Sequence, residues 1–142
     1  GEGGFGGKSE PPRPPHPPPD RDPDLTIPMP THPQLALIYR LSGDLNPLHA
    51  DPAVAKAAGY ERPILHGLAT YGVIGHGLMA ALCDYEPERA LTLEGRFSSP
   101  VFPGETITID IWREQHGRAA FRARIAARDA AVFTNGVFEY AA

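Results

Sequence analysis

Cysteine and tryptophan are almost missing from this chain, one of each among 142 residues. A single thiol, Cys83, excludes an intramolecular disulfide framework and any zinc site assembled from several thiolates. Basic residues are in deficit, 13 Lys and Arg against 17 Asp and Glu, for a net charge of −4. General nucleic-acid binding needs the opposite balance on at least one face. No window approaches ~18 consecutive apolar residues, so no membrane-spanning helix is expected. No basic segment followed by an apolar one marks a secretory signal, and the Tyr-Ala-Ala end is not a peroxisomal address. These absences lead to the expectation of a soluble, cytoplasmic domain with no nucleic-acid or membrane partner.

Proline and glycine, by contrast, are plentiful and unevenly placed. Of the 17 prolines, 11 lie between Pro11 and Pro33, and five of the 15 glycines lie within residues 1–7. So few large apolar residues cannot offset the entropy of ordering, and residues 1–33 read as a Gly/Pro-rich linker or tail, disordered or extended. Pro11–Pro19 reads as a polyproline-like spacer, with a docking ligand for an SH3-type groove as the alternative. The chain opens on Gly1 rather than Met and reads like the middle of a longer protein, which leads us to expect an upstream partner. Residues 34–142 remain, about 110 residues, enough for one core.

Within that domain the hydrophobic period changes once. Thr31 is a plausible N-cap and Pro33 suits a first turn; Leu35, Ile38, Tyr39 and Leu41 recur at helical spacing up to Ser42-Gly43-Asp44. Asp51-Pro52 reads as N-cap and first residue of a short helix ending at Gly59. His66–Cys83 is the longest helical candidate, with Leu68, Tyr71, Gly72, Gly75, Leu78, Met79 and Leu82 on one face. Its glycines each cost ~1 kcal/mol relative to Ala, which makes sense where a sheet approaches too closely for side chains. After Pro87 the period is two: Leu91–Phe97, Ile107–Trp112, Phe121–Arg128 and Ala131–Tyr140 alternate as half-buried strands. His116-Gly117 predicts a turn, and Asn135-Gly136 a bulge rather than a hairpin. One glycine-rich helix and an antiparallel sheet predict an α+β fold, a curved sheet wrapped around a central helix.

The polar residues with chemical potential cluster between the two short helices. In YRLSGDLNPLHADPAVA, residues 39–55, Asp44 can accept a proton and His49 can act as acid or base near neutral pH. Asn46 can bond backbone or side chain, and Pro47 stiffens the loop. Other readings stay open for these residues: Asp44 as an Asx-turn cap, His49 as a metal ligand with His66 or Asp51, His66 and His76 as structural helix residues. Arg118, Arg122, Arg124 and Arg128 read as one strand face, solvated or touching phosphate.

Tyr39, Leu41, Ser42, Gly43, Asp44, Asn46, Pro47, Leu48, His49 and Ala55 together resemble the signature of the MaoC-like hotdog family, the (R)-specific enoyl-CoA hydratases. Arg62–Gly67 (RPILHG) and Arg96–Gly104 (RFSSPVFPG) extend the similarity. The resemblance implies a hotdog fold over residues 34–142 and reversible hydration of trans-2-enoyl-CoA to (R)-3-hydroxyacyl-CoA. Asp44 and His49 would be the dyad that activates water and delivers a proton, supported by Asn46. The Gly67 backbone N–H would bind the thioester oxygen, and Arg62 and Arg96 are candidate phosphate contacts of the acyl-CoA substrate. No metal or other cofactor is implied. Family members occur as homodimers or as longer chains with two paired hotdogs. The Gly/Pro-rich start resembles the connection between halves, so the chain is read as the C-terminal, signature-bearing half, with a complete homodimeric enzyme as the alternative. A dehydratase acting on a CoA or carrier-protein thioester and a non-catalytic acyl-CoA-binding module are the rival functions.

Overall fold

A computed structural model describes Gly6 and residues 14–141. The rest of the Gly-rich start, the first prolines (11–13) and Ala142 lie outside the described residues. The elements are β1 (Leu25–Pro30), α1 (Leu35–Tyr39), α2 (Pro52–Ala57), α3 (Gly67–Leu82), β2 (Ala90–Phe97), β3 (Thr106–Gln115), β4 (Arg118–Ile125) and β5 (Ala130–Tyr140). The strands form one antiparallel sheet in the order β1-β3-β4-β5-β2, with α3 packed against its inner face. His116-Gly117 makes the β3–β4 turn and Gly117 takes a left-handed φ of 75°. The β5 register jumps from Gly136 to Phe133 opposite β4, so Asn135-Gly136 forms the expected bulge. No helix among the described residues is long and apolar enough to cross a membrane.

The buried stripe of α3 is rotated from the expected one. Ala69, Thr70, Ile74, Gly77, Leu78 and Leu82 are buried, whereas Leu68 and Gly72 are exposed. A side chain at Gly77 would put Cβ 2.6 Å from Ile109 Cδ1, so the close approach of helix to sheet is real there. At Gly72 nothing lies within 4 Å, and steric crowding does not explain that glycine. Leucine at a helix start lost to threonine in the burial contest because the sheet, not the hydrophobic count, decides which side faces inward.

Three further expectations are corrected. The linker reading of residues 1–33 fails at its C-terminal end, because Leu25–Pro30 pairs with β3 along its length. Proline is tolerated there because β1 is an edge strand. Residues before it also lie on the sheet: Trp112 Nε1 donates to the Arg21 carbonyl (2.8 Å), Arg113 N donates to Asp24 Oδ2 (2.7 Å), and His16 sits 2.8 Å from Glu114. Thr108, Asp110 and Trp112 on the outer face of β3, expected to be wetter, are buried: Arg21 meets Trp112, and Thr26, Arg122 and Arg124 meet Asp110. Thr31 caps no helix; its hydroxyl donates to Glu105 O and accepts from Gly104 N, and Gln34 is the N-cap of α1. The arginines do not form a free basic face. Arg122 and Arg124 converge on Asp110 (3.0 and 2.8 Å), Arg128 lies beyond β4 on Glu105 (2.7 Å), and Arg118 sits 3.5 Å from Glu114.

Candidate active site

Three short stretches build the site, and local chemistry explains each. After α1 the chain turns through Gly43, whose φ of 112° suits glycine alone. Asp44 then accepts from Asn46 N (3.2 Å), and Asn46 in turn accepts from Leu48 N (3.0 Å). Asn46 thereby caps the single helical turn Pro47–His49, and Asp44 is an Asx-turn acceptor as well as a site carboxylate. Asp51 caps α2 by accepting from Ala53 N (2.8 Å), and so stands apart from the site chemistry. The third stretch, Ile64–Gly67, runs antiparallel to the cleft wall through Leu65 N to Val101 O (2.7 Å) and opens α3 at Gly67.

His49 is 8% exposed, and its Nδ1 lies 2.8 Å from the Ile64 carbonyl. A carbonyl only accepts, so Nδ1 carries the hydrogen and Nε2 of the neutral ring keeps a lone pair. His49 and Gly67 line a cleft of about 290 Å³ together with Tyr60, Thr70, Phe97 and the segment 98–101. Asp44 is exposed and does not line the cleft; its carboxylate lies within 4.8 Å of a ring nitrogen of His49 and of His66. Gly67 is the first residue of a 16-residue helix, so its N–H has no intrahelical acceptor and lies at the positive end of the dipole.

His66, read from sequence as a structural helix residue, lies against both Asp44 and His49, a contact the sequence did not reveal. It is 1% exposed, stacks on His49 with centroids 3.7 Å apart, and donates from Nε2 to the Asp44 backbone carbonyl (3.2 Å). Burial lowers its pKa, outweighing the Asp44 carbonyl bond that acts the other way, so the ring stays neutral. Its place at the head of the longest helix was the available signal; the 22-residue gap to Asp44 concealed the contact. The ligand atoms of His49, His66 and Asp44 lie within 4.8 Å of one another, but His49 Nδ1 and His66 Nε2 are engaged with the Ile64 and Asp44 carbonyls and the rings stack, an arrangement of packed rings more than of converging metal ligands. His76 is exposed and lies against Tyr85, away from this group.

The two candidate phosphate contacts separate. Arg62 donates to Pro103 O (3.2 Å), lies 4.7 Å over the Phe102 ring and lines, with His49, a second cavity of about 190 Å³. Arg96 is on the exposed part of β2 and lines neither cavity.

A curved antiparallel sheet around one helix is a hotdog fold, here with an Asp/His-bearing loop beside that helix's N-terminus. The chain belongs to the MaoC-like family: the model described as "MaoC like domain" matches residues 15–133. It is 51% identical to 3-hydroxyacyl-thioester dehydratase Y of Mycobacterium tuberculosis, over 100% of this chain and 51% of that protein. Enoyl-CoA hydratase ChsH3 of the same organism is 47% identical over 96% of this chain and 47% of its own length. Among solved structures, a MaoC-like dehydratase from Phytophthora capsici superposes with a TM-score of 0.91 at 40% identity, covering 97% of this chain and 49% of that one. The chain thus spans about half the length of these relatives.

Proposed function

We propose that this chain catalyses the reversible addition of water to a trans-2-enoyl-CoA, giving the (R)-3-hydroxyacyl-CoA. One observation supports the reading: the His49 imidazole, held through Nδ1, and the helix N-terminal N–H of Gly67 line one cleft, with the Asp44 carboxylate within 4.8 Å of a ring nitrogen of His49. In the hydration direction the thioester oxygen accepts from Gly67 N–H, which stabilises the enolate-like charge. His49 and Asp44 take a proton from water as its oxygen bonds to the β-carbon, and the dyad returns a proton to the α-carbon. Asn46 holds the turn that carries His49. Dehydration uses the same groups in reverse, and the names of the relatives support both directions. Arg62, beside the second cavity, is the better-placed phosphate contact.

We also propose pairing with a second hotdog, an upstream half or an identical subunit. Its support is the half-length match and the exposed Leu68, Leu91 and Phe97 along the start of α3 and the edge strand β2. The test is loss of enoyl absorbance with the product's chirality recorded, for wild type and Asp44→Asn. The near-isosteric change should lower turnover by about 10²–10⁴-fold with the fold intact. Wild-type turnover in that variant removes Asp44 from the mechanism. A silent isolated chain that becomes active on adding its second hotdog supports pairing; silence in the complex leaves an acyl-CoA-binding module.

A further inference from the structure

The dyad residues sit on a stretch with little regular structure, from Gly43 to Ala50, yet a proton relay requires them to hold one geometry. Cap bonds within the loop fix its local shape only. Two links leave the loop for the body of the domain: His49 Nδ1 donates to the Ile64 carbonyl, and both Asp44 and His49 meet His66, the N-cap of α3. Its Nε2–H bonds the Asp44 carbonyl, its ring stacks on His49, and its other flank meets the Tyr39 ring at 4.8 Å.

We propose that His66 is a positioning residue, which registers Asp44 by a hydrogen bond and His49 by ring stacking against the start of α3. The inference rests on the reading of Asp44 and His49 as the dyad and deepens it. Two features favour this over ordinary packing. A buried histidine whose only role was to fill space would be better replaced by an apolar residue, since His66 Nδ1 is buried with no hydrogen-bond partner. That cost is borne at a position whose side chain touches both dyad members. Burial also keeps the ring neutral, so the charges facing it are those of Asp44, His49 and Arg40 rather than its own. A neutral stacked neighbour leaves His49 as the group that gains and loses the proton.

The two links come apart in two variants. His66→Phe keeps a ring to stack and loses the donor to Asp44; His66→Gln keeps an amide donor and loses the stack. Turnover and the ¹⁵N shifts of the His49 imidazole are measured in each, with thermal unfolding to establish folding. The Phe variant should keep His49 as a single Nδ1–H tautomer and lose about ten- to a hundredfold in kcat, as expected of a misplaced catalytic group. The Gln variant should loosen the His49 ring, so that its ¹⁵N shifts report a weakened Nδ1–H bond to the Ile64 carbonyl. Either variant, folded, with kcat within twofold of wild type and wild-type His49 shifts overturns the inference. If the wild type itself hydrates no enoyl thioester, the proposed function fails, and the His49 shifts in the Gln variant alone decide the role of His66.

Discussion

Replacing Gly67 by proline isolates one backbone hydrogen. Gly67 is the first residue of α3, where an N–H has no acceptor in the helix and proline is at home. The preceding His66 has φ −56° and ψ 138°, the extended conformation that a residue before proline prefers. The first intrahelical bond, Thr70 N to His66 O at 3.0 Å, is untouched. Stability should therefore change by no more than about 1 kcal/mol. The reaction loses its oxyanion donor, because the proline Cδ replaces the hydrogen. Loss of one such donor costs about 10²–10³ in kcat, or about 2.7–4 kcal/mol. Gly67→Ala is the steric control: its Cβ meets the Phe97 ring at 3.6 Å, ordinary contact, and the N–H stays. The ratio of kcat between the two variants, measured by enoyl absorbance at saturating substrate beside thermal unfolding curves, reports the hydrogen alone. Equal kcat in folded Pro and Ala variants would refute the assignment of Gly67 N–H as the donor.

Two predictions concern the framework. Asp110, 1% exposed, is pushed up by burial and pulled further down by Arg124, Arg122 and Thr26, so its carboxyl titrates below the ordinary range; the same net direction holds for Glu105 with Arg128. Their contribution is full above the unfolded-state pKa and is lost as pH falls through the lowered folded one, so stability should decline on acidification below about pH 4. Asp110→Ala should cost about 2–3 kcal/mol near neutral pH, discounted for the partly exposed arginines, and Asp110→Asn should flatten the acid limb; an unchanged unfolding profile in both would discard the network. Trp112 is the sole tryptophan, 2% exposed beneath the Arg21 carbonyl. Removing residues 1–23 should red-shift its emission, and an unshifted spectrum would mean that the preceding segment does not cover it.

What was readable in the sequence was local or periodic. The loop from Gly43 to His49 packs its information into consecutive residues, and its glycine, Asx and proline chemistry acts over one to three positions, so its local shape was legible. Strand alternation located β2 to β5, and the bulge at Asn135 followed from short arms. Contacts between distant residues were invisible. Trp112 and Asp110 alternate as an outward face; Trp112 is met there by Arg21 of the preceding segment, and Asp110 by Thr26 of β1 and by Arg122 and Arg124 of β4. Composition made that segment look like a linker, since proline signals extension but is silent on what an extended chain lies against. His66 reaches Asp44 across 22 residues, and no pattern of spacing reports a ring stack.

The arrangement separates chemistry from substrate accommodation. Every group assigned to the reaction lies between Asp44 and Gly67, on one face of one domain. The cleft they serve, about 290 Å³, is at the small end of ligand sites, which run to about 1,000 Å³. Phe97 closes one side of it while staying half-exposed, a large apolar ring facing out from an edge strand at the mouth of the site. An acyl chain beyond the first carbons would leave the cleft past that ring, over the surface on which a second hotdog is proposed to sit. Acyl-length preference would then belong to the pair rather than to this chain. Exchanging the second hotdog should alter KM across chain lengths while the kcat ratio of Asp44→Asn to wild type stays fixed.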